Sequence, residues 1–218
     1  MLIIICGLPG TGKSTLAKLL AGEMGADVLR TDIIRNEMFK EATLDEVLMS
    51  TDPMQYNLEQ VFNGQRVIPS EYQNMIWRQK QMVYDELLRR TESLLRRGRT
   101  VILDGTFYRR DLRNQLYLMA KAEGVPAYVI ECRCPIRILR YRFNMRQRIP
   151  DDASHASSMK VYRKVKSVYE SPALDNVPLI IYDSGRQRAK TLNVAEGDGG
   201  AKAILDIIKR NQLEELSH

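Results

Sequence analysis

The feature that most constrains the fold is a glycine-rich octapeptide that directly follows the first apolar run of the chain. Met1 to Cys6 is apolar, and Gly7-Leu8-Pro9-Gly10-Thr11-Gly12-Lys13-Ser14 comes next. This segment matches the pattern G-x-x-x-x-G-K-[ST] in full, and a stretch of helical period continues from Thr15. A strand, a glycine-rich loop and a helix in this order predict an α/β domain built on a mainly parallel sheet.

The chemistry of this loop indicates a nucleoside triphosphate as its ligand. Glycines let the backbone approach phosphate oxygens closely, and the loop N–H groups and the positive end of the following helix face the anion. We expect Lys13 to neutralise the β- and γ-phosphates and the Ser14 hydroxyl to hold Mg²⁺. The predicted nucleotide-binding residues are Gly7, Pro9, Gly10, Thr11, Gly12, Lys13, Ser14 and Thr15.

The rest of the chain alternates short apolar runs with helical segments, which predicts a single three-layer α/β domain over residues 1–218. The predicted strands form a five-stranded parallel sheet: Leu2–Cys6, Asp27–Arg30, Thr100–Leu103, Ala127–Cys132 and Pro178–Tyr182. Residues 41–69 interrupt the alternation, and an irregular insertion of this length is usually functional. We expect it to be a small helical insertion that forms the acceptor subdomain, with Thr43-x-x-Glu46 capping a short helix.

A second candidate cluster follows the second predicted strand. Ligands in parallel sheets bind beyond the carboxyl ends of the strands, so Asp32 is expected to face the same crevice as the glycine-rich loop. Asp32 can accept the proton of an acceptor hydroxyl, and Arg35, one helical turn on, can hold an acceptor phosphate or the developing charge. The alternative is a helix N-cap at Asp32 with a solvated Arg35.

A third cluster lies on the helix predicted after Pro135. Arg142 and Arg146 are four residues apart, so they share a helix face and can meet one polyphosphate. Phosphoryl transfer uses such cations on a closing segment, and we expect a lid over about residues 142–157. The alternative is a solvated arginine-rich helix face.

The motifs also separate kinases from other triphosphate-binding proteins. The guanine-reading tetrapeptide Asn-Lys-x-Asp does not occur in the sequence. The strand ending in Asp104 is followed by Gly105, where a hydrolysing motor would carry a water-polarising acid. These features favour transfer to a substrate hydroxyl, with Asp104 holding a Mg²⁺-bound water.

Charge and composition exclude some classes and leave one question open. The net charge is +6, and residues 78–148 contain 17 basic and 7 acidic side chains. That segment is therefore where contact with nucleic acid is possible, although arginines on a solvated face would give the same count. No apolar run reaches the roughly 18 residues of a membrane span, so we expect no membrane contact. Three cysteines without a disulfide framework, and an N-terminus without a secretory pattern, predict a cytoplasmic protein.

Taken together, these segments resemble the polynucleotide-kinase-like branch of P-loop kinases, which includes 5′-hydroxyl polynucleotide kinases and small AAA-type ATP-binding kinases. The resemblance covers about residues 1–183 apart from the insertion, and rests on four segments: Gly7–Thr15, Asp32-x-x-Arg35, Val101–Phe107 and the Arg142/Arg146 helix. It implies a nucleotide-kinase-like P-loop fold and ATP- and Mg²⁺-dependent transfer of the γ-phosphoryl group to a hydroxyl. Lys13 and Ser14 would be phosphate and Mg²⁺ residues, Asp32 the base, Arg35 an acceptor contact and Arg142/Arg146 the lid.

The acceptor class stays open at this point. A polynucleotide 5′-hydroxyl and a small metabolite both fit the resemblance. Seryl-tRNA kinases share a similar loop and Asp-x-x-Arg, and Asp104 to Arg109 resembles a segment of adenylate kinases without its proline. A different class, an ATP-switched nucleic-acid-binding or regulatory ATPase, would not need the pair Asp32 and Arg35.

Overall fold

The first apolar run forms the central strand of the sheet, and all five of its residues, Leu2–Cys6, are buried. The computed structural model describes residues 1–40, 42–50, 70–146 and 158–216. The strands are β1 (Leu2–Cys6), β2 (Asp27–Arg30), β3 (Val101–Asp104), β4 (Ala127–Arg133), β5 (Leu179–Asp183) and β6 (Arg188–Leu192). The helices are α1 (Lys13–Met24), α2 (Thr31–Met38), α3 (Leu44–Met49), α4 (Glu71–Arg96), α5 (Arg110–Ala122), α6 (Ile136–Arg146), α7 (Met159–Ser167), a 3-10 turn (Pro172–Leu174) and α8 (Gly199–Leu216).

The sheet confirms the predicted α/β class and corrects the strand count. Its order is β2-β3-β1-β4-β5-β6, and every pair is parallel except β5 and β6. The prediction of five strands was wrong because β6, with the sequence Arg-Ala-Lys-Thr-Leu, lacks an apolar run. It pairs only with β5 at the sheet edge, where most of its side chains face solvent and need not be apolar.

Alternation along β1 divides the core into two halves. Ile3 and Ile5 pack against α1 and α8 on one face of the sheet. Leu2, Ile4 and Cys6 face α2, α4 and α5 on the other. Burial on both faces is what a continuous apolar strand predicts, and it gives the three layers expected from the sequence. Within the described residues, no helix is long and apolar enough to cross a membrane.

Side-chain caps mark the starts of two helices. The Ser70 hydroxyl accepts from the Gln73 N–H at the start of α4, and Thr43 and Glu46 form the predicted capping box of α3. This helix is the described part of the insertion, since residue 41 and residues 51–69 lie outside the described ranges. Helix α2 begins directly after β2 without a side-chain cap, so no capping signal marked its start, although the spacing of Asp32 and Arg35 implied a helical turn there.

A buried ion pair connects α5 to the turn before β5. Arg113 is fully buried, and its Nε and Nη2 donate to the two Asp175 oxygens at 2.6 and 3.1 Å. The Tyr117 hydroxyl donates to Asp175 Oδ2 at 2.8 Å, and Arg113 Nη1 donates to the Phe107 carbonyl at 2.8 Å. Because Phe107 has a left-handed φ of 40°, this last bond holds the loop after β3 in a conformation that side chains rarely adopt.

We predict that Asp175→Asn lowers the free energy of unfolding by about 3–5 kcal/mol, because it leaves the Arg113 guanidinium buried without a carboxylate. Urea denaturation followed by circular dichroism measures the change. The matched control is Glu23→Gln, which removes the carboxylate of the exposed Glu23–Arg210 pair. That control should lose less than about 1 kcal/mol. Equal losses in the two variants would contradict a special role for the buried pair.

A second prediction concerns Gly7, where β1 ends. Its φ is 135°, and a Cβ there would lie 2.4 Å from the Cys132 carbonyl oxygen of β4. We predict that Gly7→Ala costs about 2 kcal/mol or more, because the clash adds to backbone strain. Gly22→Ala is the control: Gly22 lies within α1 with nothing within 4 Å of the new methyl group, so helix propensity should stabilise that variant by about 0.5–1 kcal/mol. Thermal unfolding of both variants measures whether stability falls in Gly7→Ala and rises in Gly22→Ala.

Candidate functional site

The principal cavity has a volume of about 490 Å³ and lies beyond the carboxyl ends of β1, β2 and β3. This is where parallel α/β sheets bind ligands. Its lining includes the glycine-rich loop, the end of β2, the end of β3 and residues of α3 and α4. These lining residues are Pro9, Gly10, Gly12, Lys13, Ser14, Thr15, Lys18, Arg30, Thr31, Asp32, Val47, Leu48, Lys80, Val83, Tyr84, Asp104, Gly105, Thr106 and Tyr108.

The glycine-rich loop forms one wall of this cavity. Gly10 and Gly12 have φ of 80° and 90°, which turn the chain into the N-terminus of α1. Lys13 Nζ donates to the Leu8 carbonyl at 3.0 Å, and the Thr11 hydroxyl donates to the same oxygen at 2.8 Å. Six of the predicted nucleotide-binding residues line the cavity, whereas Gly7 and Thr11 shape the loop from outside it. This geometry suits a bound polyphosphate, because the loop and the N-terminus of α1 both face the part of the cavity where its oxygens would bind.

Two carboxylates line the cavity beside the loop and share one arginine. The parallel register places Arg30 beside Asp104 across β2 and β3. Arg30 Nη2 lies 2.7 Å from Asp32 Oδ2, and Arg30 Nε lies 3.5 Å from Asp104 Oδ2. Arg30 was not among the predicted site residues. Alternation along β2 did not indicate toward which face the Arg30 side chain points. Pairing β2 with β3 so that Arg30 lies beside Asp104 could have suggested that Arg30 belongs to the site.

Asp104 has an environment suited to a cation. Its side chain is only 4% exposed, and burial raises the pKa of its carboxyl, while Lys13, a hydrogen bond with Ser14, and Arg30 act in the opposite direction. A carboxylate and a hydroxyl are the hard oxygen ligands that Mg²⁺ prefers, and Mg²⁺ usually keeps several waters. In the described ranges no three His, Cys, Asp or Glu side chains cluster as a metal site. The pair of Ser14 and Asp104 therefore fits Mg²⁺ held together with nucleotide phosphates.

Arg142 reaches the outer side of the loop from α6. Its Nη1 donates to the Gly10 carbonyl at 3.1 Å and to the Ser184 hydroxyl at 2.9 Å. It thus contacts the loop backbone without lining the cavity. Arg146 is the last residue of α6, and nothing is described of its side chain; the remainder of the predicted lid, residues 147–157, lies outside the described residues.

Arg35 does not join Asp32 at the cavity. The side chain is buried beneath the segment before α3, where Nη1 donates to the Ala42 carbonyl and Nη2 to the Asn36 side chain. In this arrangement Arg35 connects α2 to the start of the insertion. The spacing Asp32-x-x-Arg35 placed both residues on one helix, but a separation of three residues leaves room for side chains to diverge.

The wall of the cavity that α4 forms was not predicted from the sequence. Helix α4 turns Ile76, Lys80, Val83 and Leu87 toward the interior, a spacing of three and four residues. Lys80 therefore occupies a position where the helical pattern calls for an apolar residue. A lysine at such a position is the sequence signal that could have identified it. Its side chain lines the cavity together with Tyr84 and Tyr108.

Arginines of the basic segment 78–148 are mostly engaged in ion pairs. Arg89 and Arg90 both bind Glu86, and Arg96 binds Glu92 and Glu123. Arg99 binds Asp27, Arg109 binds Asp111, and Arg113 is buried. Apart from Arg113, this pairing favours the solvated-face interpretation for these side chains. Contact of this segment with nucleic acid stays a prediction.

Comparison with known proteins identifies relatives of the chain. Over 69 residues it is 36% identical to a Thermococcus gammatolerans protein named "Putative adenylate kinase", a match that covers 31% of this chain and 39% of that protein. The chain thus matches well under two thirds of that relative's length. A putative kinase from Chloroflexus aurantiacus has a similar structure, with a TM-score of 0.56, 20% identity and coverage of 97% of this chain and 95% of that chain.

A second solved structure and a family match complete the comparison. Kti12 from Chaetomium thermophilum, solved in complex with ADP-AlF3, gives a TM-score of 0.54 at 17% identity over 97% of both chains. At such identities the two structures show a shared fold. The AAA domain family matches residues 2–172, which is most of the chain. The chain therefore belongs to the AAA domain family and has the fold of P-loop kinases.

Proposed function

We propose that the protein is an ATP- and Mg²⁺-dependent phosphotransferase that moves the γ-phosphoryl group to a hydroxyl acceptor. The observation that carries this proposal is that one cavity is lined by the glycine-rich loop, by Asp32 and by a separate wall from α4. A triphosphate and an acceptor can therefore meet in the same cavity. The kinase names of the structural and sequence relatives agree with this reaction class.

On the nucleotide side, the loop amides and Lys13 bind the β- and γ-phosphates. Ser14 and Asp104 hold Mg²⁺, which when bound neutralises charge that develops on the phosphate oxygens. Arg142 is placed by Gly10 and Ser184 beside the loop, where it supports the phosphate-binding conformation. Arg146, one turn further along α6, is assigned with Arg142 to the closing lid.

On the acceptor side, Asp32 is the general base. The acceptor oxygen attacks the γ-phosphorus, its proton passes to the Asp32 carboxylate, and the bond from phosphorus to the bridging oxygen breaks to release ADP. Arg30 donates to both Asp32 oxygens, at 2.7 and 3.2 Å, and the Ile33 N–H donates to Oδ1 at 2.9 Å. These bonds fix the direction of the carboxylate. Arg35 is assigned to the acceptor side of the site, because its hydrogen bond to the Ala42 carbonyl positions the start of the insertion.

The acceptor is a polynucleotide 5′-hydroxyl or a small metabolite, with seryl-tRNA and nucleoside monophosphates as further hydroxyl- or phosphate-bearing candidates. An ATP-switched regulatory module would not require a carboxylate oriented at the cavity. The arrangement of Asp32 therefore supports transfer over a switch without an acceptor.

We predict that Lys13→Ala weakens binding of MgATP about 10- to 100-fold or more, because a charge-assisted contact to the phosphates is lost. Isothermal titration calorimetry measures the Kd. Lys202→Ala is the matched control, because Lys202 is an exposed lysine of α8. Undiminished ATP affinity in Lys13→Ala would rule out the loop as the phosphate site.

For the general base, Asp32→Asn should keep the ATP Kd within about threefold while transfer from γ-labelled ATP to the acceptor falls about 10²- to 10⁴-fold. The control is Glu37→Gln, which removes a carboxylate of the same helix that pairs with Arg90 on the surface. A panel of 5′-hydroxyl RNA, 5′-hydroxyl DNA and hydroxylated metabolites serves as acceptor. Turnover retained in Asp32→Asn would refute the base assignment, and label released only as free phosphate by the wild type would favour the switch.

A further inference from the structure

The wall of the cavity formed by α4 contains a buried lysine whose charge the nucleotide chemistry does not use. Lys80 is 6% exposed and lines the cavity. Its Nζ lies 4.8 Å from the centre of the Tyr108 ring and 5.2 Å from that of Trp77, and it donates to the Val47 carbonyl at 3.4 Å. Among the described residues, no carboxylate forms an ion pair with it. Lys80 thus has aromatic faces and one long hydrogen bond, with no counter-ion among the residues that the structure describes.

The surroundings of Lys80 add to its positive potential. Arg109 in the segment after β3 and Lys164 on α7 both act on it as like charges. Burial is the largest effect, and together these causes lower the pKa of Lys80 to about 7. On α3, Glu46 is exposed and engaged with Thr43 and Tyr72. The cation therefore stands in a region where an added negative charge would be favourable.

A purely structural role explains this arrangement poorly. Burying an ammonium without a carboxylate is unfavourable, and contacts with aromatic faces recover only part of its lost hydration. A methionine would occupy the same position on α4, pack against Val83 and carry no charge. A buried ammonium at a cavity wall, with one long hydrogen bond and no described carboxylate beside it, points instead to an anionic ligand that completes its contacts.

We propose that Lys80 binds an anionic group, a carboxylate or a phosphate, carried by the hydroxyl acceptor. This inference rests on the proposed function, since Asp32 and Lys80 line the same cavity and would bind two parts of one acceptor. Asp32 would take the hydroxyl proton, and Lys80 would select acceptors by charge. The residue is thereby assigned to acceptor specificity and has no part in nucleotide binding.

Probes that differ only in the anionic group test the proposal. Glycerol, D-glycerate and sn-glycerol 3-phosphate form a neutral, carboxylate and phosphate series, and adenosine with adenosine 3′-monophosphate forms a nucleoside pair. Each is titrated by calorimetry into protein saturated with Mg²⁺ and a non-hydrolysable ATP analogue, so that the glycine-rich loop is already occupied. The carboxylate and phosphate arms separate the two sources of the charge.

The wild type should bind at least one anionic probe about tenfold or more tightly than its neutral partner, as expected for a hydrogen bond to a charged group. In Lys80→Met that preference should be lost, while affinity for the ATP analogue changes less than about twofold. Lys202→Met, an exposed lysine on α8, should behave as the wild type. Equal affinity of the wild type for charged and neutral probes, or an unchanged preference in Lys80→Met, would overturn the proposal.

Stability gives an independent readout. Because the variant removes a buried ammonium that no described carboxylate pairs with, Lys80→Met should melt at the same temperature as the wild type or higher. A lower Tm together with lost anion preference would assign Lys80 a structural role and overturn the proposal. If Lys80→Met fails to fold, the proposal is tested instead by the proton that the wild type takes up when it binds an anion.

Proton uptake is measured by titrating D-glycerate at pH 8 in two buffers of different ionisation enthalpy. With its pKa at about 7 in the free protein, Lys80 is mostly neutral at pH 8, and a bound anion should raise that pKa. Binding should then take up about one proton. Tyr84 does not interfere, because burial raises its pKa further above its usual value. Binding without proton uptake would contradict the assignment.

The kinase proposal and this inference fail in different ways. If anion binding depends on Lys80 but no acceptor receives label from ATP, the kinase proposal is wrong. If acceptors are phosphorylated with the same KM whether charged or neutral, and Lys80→Met changes nothing, the kinase proposal stands and the inference is wrong.

Discussion

The whole site depends on one constraint: β1 lies between β3 and β4 in parallel register, with no solvent on either face. Parallel strands end at the same edge of the sheet, so the loop after β1 and the carboxylate that ends β3 meet there. The next strand, β2, adds Arg30 in register with Asp104 and Asp32 just beyond it. Gly7 permits this arrangement, because any side chain would meet the Cys132 carbonyl of β4.

The sequence predicted what is encoded locally and missed what arises from contacts between distant segments. The loop Gly7–Ser14 was predicted from its spacing, and the strands β1, β3, β4 and β5 from their mostly buried apolar runs. The prediction of β2 was also correct, although its four residues are only partly buried. Strand β6 is mostly exposed and is held in place by its pairing with β5. Its own sequence therefore has no apolar pattern that would predict a strand. Lys80 and Arg30 gain their positions from helix packing and strand register. Arg35 donates to the Ala42 carbonyl and does not line the cavity with Asp32.

Charge is distributed unequally between the two halves of the cavity. Near the glycine-rich loop, Arg30 forms ion pairs with Asp32 and Asp104, and Lys13 acts on Asp104. On the side of α4, the described neighbours of Lys80 contribute further positive charge. Folding alone would favour an apolar residue there, since buried charges are costly. Such a departure from the most stable choice is expected where a site must recognise a ligand.

The edge strand β6 has a consequence for how the molecule behaves among its copies. A free edge presents unpaired N–H and C=O groups, onto which a strand of another chain could add. Here the outermost strand has five residues, among them the exposed Arg188 and Lys190. Bringing two such edges together would place like charges against each other. The sixth strand thus moves the apolar β5 one place inward and gives the sheet a boundary that resists edge-to-edge aggregation.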